Sequence, residues 1–185
     1  MAQLHELGVA QIARQVREQQ LSPVELVESL LARIDKLEPQ LNAWVYLDRE
    51  AVLSDAEQKL KELNAGSTVG ALHGVPVGLK DIYYTAGIPT TACSKVYANH
   101  VPEYDATTVT LMKGAGAIML GKTVTTEFAC MDPSPTLNPW NPAHTPGGKP
   151  PGLGGRVRPL PARAGRHLPH FWSSSPRYPE TSLPV

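Results

Sequence analysis

The stretch GALHGVPVGLKD, at residues 70–81, is an apolar segment with several glycines that leads to a lysine, Lys80. The functional interpretation of the chain depends on this lysine. Within it Val75, Val77 and Leu79 alternate with proline, glycine and lysine, a period of two that predicts a short strand with one buried face. Partial burial of Lys80 would disfavour its ammonium and lower its pKa toward the range of a general base. The alternative is a strand-end lysine whose ammonium reaches solvent.

A helix and a second strand are predicted further along the chain. Asp105 has the character of an N-cap for a helix that ends at Gly114, and residues 117–120 (AIML) form a short apolar run. A helix that returns to a sheet between two apolar strands is typical of α/β proteins whose strands are buried on both faces. The triplet GKT at 121–123 lacks the spacing of a phosphate-binding P-loop.

The residues before position 70 predict three helices and one strand. The first helix covers 4–20, and the second begins after Ser22, which has proline next and glutamate three positions on. Apolar residues keep helical spacing from there to Pro39. A strand at 43–47 and an amphipathic helix from Arg49 to Leu63 follow.

Composition excludes several classes of protein. The first residues lack the basic and apolar regions of a secretory signal, and no apolar run approaches the ~18 residues of a membrane helix. Two cysteines, Cys93 and Cys130, are too few and too far apart for a disulfide framework or a zinc site. We therefore expect a cytoplasmic protein without contact with membranes, and neither a cofactor nor a metal is implied.

The character of the sequence changes near residue 148. Residues 149–185 hold six basic residues and one acidic residue, a net charge of +5, whereas residues 1–148 carry −5. The last 37 residues also contain 8 of the 18 prolines. Proline and arginine interleaved with glycine, without apolar periodicity, do not build a packed element. We therefore divide the chain into a domain portion at 1–148 and a disordered tail at 149–185.

Several short motifs in a fixed order give the chain a family resemblance over about residues 4 to 148. The chain resembles the amidase signature family, and the ordered set is far more specific than any single member. The motifs are 72–81, 87–92 (GIPTTA), 105–109 (DATTV), 114–123 (GAGAIMLGKT), 127–129 (EFA), 138–142 (NPWNP) and 145–148 (TPGG).

The resemblance implies a hydrolase of carboxamide C–N bonds with a triad of a nucleophilic serine, a bridging serine in a cis peptide and a lysine. Lys80 matches the catalytic lysine, and Thr145, Gly147 and Gly148 would lie near the substrate and the oxyanion donors. The implied fold is α/β, with N-terminal helices and part of a mixed sheet flanked by helices. It would be an incomplete amidase signature fold, because strands of the family's sheet come later than residue 185.

The match to the family stops after Gly148. Lys149 stands where the bridging serine is expected, and the serines at 173–175 lack the flanking glycines of the nucleophile. Val124 also replaces an asparagine that is common in the family. We interpret the tail as the product of a frameshift near codon 148, which leaves a truncated chain without its serines and inactive as written.

Three functions remain open at this stage. The first is an amidase acting on a small amide, with Lys80 as base. The second is the related A subunit of a glutamine-dependent tRNA amidotransferase, which works with partner subunits. The third is a non-catalytic truncated product whose basic tail adheres to nucleic acid or membrane. We do not expect the tail to contact nucleic acid, because no aromatic residues interleave with its arginines to form a binding platform.

Overall fold

Two helices open the chain. The structure, a computed structural model, describes residues 4–130, 134–143 and 146. Helix α1 spans Val9–Arg17 and follows a separate 3-10 turn at Leu4–Glu6, so the predicted helix at 4–20 is divided. The division falls at Gly8, which is extended (φ −79°, ψ 153°) and directly precedes α1.

Helix α2, Pro23–Leu41, begins where its sequence signals predict. The Ser22 hydroxyl accepts a hydrogen bond of 3.2 Å from the Val24 N–H. Pro39 does not end the helix, which continues to Leu41 and stops at Asn42 in the left-handed conformation (φ 50°). The sequence signals therefore predict the start of α2 correctly, whereas Pro39 does not mark its end.

The cap at Ser22 leads to a stability prediction. Replacing Ser22 with alanine removes the acceptor for one unpaired helix N–H, so the free energy of unfolding should fall by about 1 kcal/mol. Ser54→Ala is the matched control, because Ser54 is exposed inside a helix and alanine is the better helix former there. Chemical denaturation followed by circular dichroism measures both; equal stability of the two variants would contradict the capping role.

Two more α-helices, three strands and two short 3-10 turns, at Lys95–Tyr97 and Glu127–Ala129, follow in the described part of the chain. Their bounds are β1 Trp44–Tyr46, α3 Arg49–Asn64, β2 Pro76–Lys80, α4 Thr107–Gly114 and β3 Ile118–Thr123. The strands form one sheet in the order β1-β3-β2. β2 runs parallel to β3 and β1 runs antiparallel to it, so the predicted mixed α/β architecture is confirmed.

The core lies between this sheet and its helices. One cluster joins β2 to α1, α2 and α4 and includes Val16, Leu26, Val77 and Val109. A second cluster joins β3 to α2 and α3 through residues such as Ile118. Both clusters bury the apolar residues whose spacing predicts the elements.

Asp105 does not cap α4, contrary to the sequence prediction. Ala106 precedes the helix and no side chain caps it. The Asp105 carboxylate instead accepts a hydrogen bond of 2.8 Å from the Ala86 N–H and one of 2.7 Å from Lys113 Nζ. The Asp105 carboxylate therefore binds Ala86 and Lys113 in place of the expected N–H groups at the start of α4.

Candidate active site around Lys80

Strand β2 carries Lys80 to the carboxyl end of the parallel pair. Lys80 lies opposite Thr123 of β3 in the register, and its side chain is half-buried. Burial lowers the pKa of the Lys80 ammonium from its ordinary value. Within the described residues, no side chain or carbonyl forms a hydrogen bond or ion pair with this ammonium.

A tight turn follows directly after Lys80. The Lys80 carbonyl accepts hydrogen bonds from the Ile82 N–H (2.8 Å) and the Tyr83 N–H (3.0 Å). The Asp81 N–H donates to the Thr123 carbonyl at 3.0 Å, which continues the pairing of the two strands by one residue. Backbone hydrogen bonds therefore fix Lys80 and the residues that directly follow it.

A buried ion pair lies beside this turn. Lys122 Nζ is 3.4 Å from Asp81 Oδ1, and the two side chains are 1% and 0% exposed. Asp81 Oδ2 accepts hydrogen bonds from the N–H and the hydroxyl of Thr91, at 3.0 and 2.5 Å. Lys122 Nζ also donates to the Tyr83 carbonyl and to Thr90 Oγ1, both at 2.7 Å. The partner of the Asp81 carboxylate is therefore Lys122 and not Lys80, its neighbour in the sequence.

Lys122 is not among the site residues predicted from the sequence. The GKT triplet is considered there only as a phosphate-binding motif, which its spacing excludes, although a lysine inside the run AIMLGKT is a charged group within a buried strand. A charged residue in such a position requires a partner, because an unpaired buried charge is very costly. That requirement is the signal that could have identified the residue.

Backbone strain is concentrated in two neighbouring segments. Ala92 and Cys93 have φ of 49° and 51°, and Phe128 and Ala129 have φ of 47° and 59°. Positive φ is unfavourable for residues other than glycine and often occurs at functional sites. The Phe128 N–H donates to the Ala92 carbonyl at 2.9 Å, so the two strained segments are joined.

Two cavities lie in the described part of the chain, and one of them borders the sheet. One of about 390 Å³ is lined by Leu79 and Lys122 together with residues of α3. The other, of about 400 Å³, is lined by Cys93, Ser94, Lys95, Val96, Thr125, Glu127 and Pro135. Lys80 lines neither cavity. The second cavity includes Ser94, whose hydroxyl donates to Glu127 Oε1 at 2.6 Å, and Cys93 from the strained segment.

Cys93 should react slowly with thiol reagents. Burial raises the pKa of its thiol, so a smaller fraction is thiolate at neutral pH, and thiolate is the reactive form. Cys130 is exposed and is the internal comparison. Iodoacetamide labelling at pH 7.5 with peptide mapping should modify Cys130 first; equal rates for the two cysteines would contradict the prediction.

The remaining predicted site residues lie outside the described residues. They are Thr145, Gly147 and Gly148, and Lys149 and the serines at 173–175 lie outside the described residues as well. His73 is buried and its Nε2 donates to the Lys59 carbonyl at 2.9 Å, which gives it a structural role. Among the residues that the structure describes, no cluster of three or more potential metal ligands occurs. None of the helices in the described ranges is long and apolar enough to cross a bilayer.

Comparison with known proteins decides the family. The family model named Amidase matches residues 25–154, well over half of the chain. The chain belongs to the amidase signature family. Two similar proteins of the family are the glutamyl-tRNA(Gln) amidotransferase A subunit of Streptomyces avermitilis and the putative amidase AmiD of Mycobacterium bovis. The first is 40% identical over 77% of this chain and 30% of its own length, and the second 37% identical over 75% and 30%.

Solved structures of the family share the fold. The peptide amidase of Stenotrophomonas maltophilia superposes with a TM-score of 0.69 and 32% identity, over 76% of this chain and 31% of that one. A bacterial aryl acylamidase of the family gives a TM-score of 0.73 and 28% identity, over 80% and 32%. The chain thus spans about a third of the length of the relatives that it matches.

Proposed function

We propose that the chain supplies the lysine base of an amidase-type hydrolase that cleaves a carboxamide C–N bond. The observation that carries the proposal is Lys80 itself. It ends a buried parallel strand, its ammonium has no partner within the described residues, and burial lowers its pKa. A lysine with a lowered pKa is more often neutral, and a neutral amine can accept a proton.

In the proposed mechanism, Lys80 activates a serine through a second serine. The nucleophilic serine attacks the carbonyl carbon, and its proton passes by way of the bridging hydroxyl to the Lys80 amine. The ammonium then returns the proton to the departing nitrogen, the C–N bond breaks, and water hydrolyses the acyl-enzyme. Thr145, Gly147 and Gly148 are proposed to lie beside the substrate, where backbone N–H groups would stabilise the oxyanion.

The chain as written is proposed to be inactive, because neither serine stands at its expected position. Lys149 replaces the bridging serine, and the segment after it has no glycine-rich turn around a nucleophile. We attribute residues 149–185 to a frameshift. Translation of the encoding DNA past codon 140 in all three frames tests this: a shifted frame should give a serine- and glycine-rich continuation, and its absence from both other frames would refute the frameshift.

A second candidate is the A subunit of a tRNA-dependent amidotransferase. Several of the similar proteins carry that name, including one from Streptomyces coelicolor that is 38% identical over 80% of this chain. A partner subunit would then be needed. Amide hydrolysis by the protein translated from the shifted frame, measured with and without such a subunit, separates this candidate from a free-standing amidase.

A hybrid protein tests the proposed function. Residues 4–146 of this chain would replace the matching residues of the Mycobacterium amidase, which keeps its own remaining sequence. The hybrid should hydrolyse the small amides that the parent enzyme cleaves, whereas the chain alone should hydrolyse none. A hybrid that is folded by circular dichroism and gel filtration but inactive, beside an active parent, would refute the proposal.

A further inference from the structure

The buried pair of Asp81 and Lys122 holds both ends of the loop that follows the proposed base. Lys122 Nζ donates to Tyr83 in the turn directly after Lys80 and to Thr90 where the loop returns. The Asp81 carboxylate accepts two bonds from Thr91, and the Asp81 carbonyl accepts from the Ala92 N–H at 2.9 Å. Two side chains therefore fix the chain from residue 81 to residue 92.

Stability alone does not explain a buried ion pair at this point. Removing two charges from water is costly, and replacing such a pair with apolar residues is often neutral or stabilising. Lys122 lies beside Leu79 in the register of the two strands, a place where an apolar side chain would pack. What the pair provides is directional: each ion holds particular backbone groups in one arrangement.

We propose that Lys122 and Asp81 are positioning residues for Lys80. They hold the turn that follows β2, and so fix the direction and the burial of the Lys80 side chain. The inference rests on the proposed function, because it concerns the reactivity of the same lysine. Neither residue touches the substrate in this role.

The pair acts by keeping water away from Lys80. The ionisable side chains on the elements around this end of the sheet are Asp81, Tyr83 and Tyr84 in the turn, Cys93 in the returning loop, Lys122 on β3 and Glu127 beyond it. Burial, not any of these charges, is what lowers the pKa of Lys80. A loosened turn would hydrate the Lys80 ammonium and return its pKa toward the ordinary value.

The test is the double variant Asp81→Asn, Lys122→Met, which removes both charges together and leaves no unpaired ion. In the chain, the pKa of Lys80 is followed by ¹³C NMR of labelled lysine, with the signal assigned from Lys80→Arg. We expect this pKa to rise toward the ordinary lysine value, because the hydrated ammonium is more stable than the partly buried one. In the hybrid, kcat should fall at least tenfold while KM changes less than twofold, because substrate contacts are kept.

Two further variants keep the test decisive. Thr90→Val retains the shape of the side chain but removes one acceptor for Lys122, so it should cause the same changes in smaller measure even if the double variant fails to fold. Leu37→Ala opens a cavity in the separate cluster of Leu37, Leu41 and Ala43. This control should lower the melting temperature and change neither the pKa of Lys80 nor kcat of the hybrid.

The positioning role is overturned if a folded double variant and Thr90→Val both leave the pKa of Lys80 and kcat unchanged. It is also overturned if Leu37→Ala changes both quantities as much as the double variant, since the effect would then be general destabilisation. An inactive unsubstituted hybrid would refute the proposed function instead. The NMR titration of the chain would still test the positioning of Lys80 in that case.

Discussion

Replacing Lys80 with methionine is expected to lower kcat/KM of the hybrid enzyme at least ~10³-fold, the scale on which removal of a member of a catalytic triad acts. Methionine keeps the length and apolar character of the side chain, so the end of β2 should pack as before. What is lost is the amine that we propose as the acceptor of the proton from the bridging serine. Steady-state kinetics on a small amide substrate measures the effect.

The control for this variant is Lys61→Met, which removes an exposed lysine of α3. It should leave kcat/KM within about twofold, because an exposed side chain outside any special contact contributes little. A Lys80→Met hybrid that keeps more than a tenth of the activity of the unsubstituted hybrid would show that Lys80 is not the base.

The pH dependence of the hybrid should carry the same signature. In the proposed mechanism the base is the neutral amine of Lys80, so the rate should rise with pH as Lys80 loses its proton. Because burial lowers the pKa of Lys80, this rise should come at lower pH than an ordinary lysine would give. A rate independent of pH through this range would argue for another base.

Replacing Gly121 with alanine is expected to destabilise the chain by about 3 kcal/mol, a typical cost of forcing extra atoms into a packed interior. A Cβ at Gly121 would overlap the Tyr46 carbonyl oxygen and would lie 3.1 Å from the Trp44 ring. Strand β1 would have to move away from β3. Thermal unfolding followed by circular dichroism should show a melting temperature lower by roughly 6–12 °C.

Gly114→Ala is the matched control for Gly121→Ala. Gly114 ends α4, and a Cβ built there meets nothing within 4 Å. Alanine is the better helix former and reduces the freedom of the unfolded chain, so stability should rise by up to ~1 kcal/mol. Equal melting temperatures for the two variants would show that the close approach of β1 and β3 at Gly121 does not matter.

The elements with local signals could be predicted from the sequence. The start of α2 is predicted from Ser22, Pro23 and Glu25, and the strand at β2 is predicted from alternation within six residues. Both are set by neighbours in the chain, and both are confirmed. The position of Lys80 at the end of β2 follows from the same local pattern.

The features missed in the sequence depend on contacts between distant residues. Lys122 binds Tyr83 and Thr90, 39 and 32 positions earlier in the chain, so neither partner is visible from its own surroundings. The same holds for Asp105, which bonds to Ala86 rather than to the helix beside it. Such pairings exist only once β2 and β3 lie side by side.

The pKa of Lys80 in the 185-residue chain is the most direct test of whether this lysine is suited to act as the base. Titration of the labelled lysine side chains by ¹³C NMR, with Lys80 assigned by substitution, gives this value without any need for activity. We expect a pKa clearly below the ordinary lysine value of about 10.4. A value for Lys80 equal to or above that ordinary value would contradict its assignment as the base.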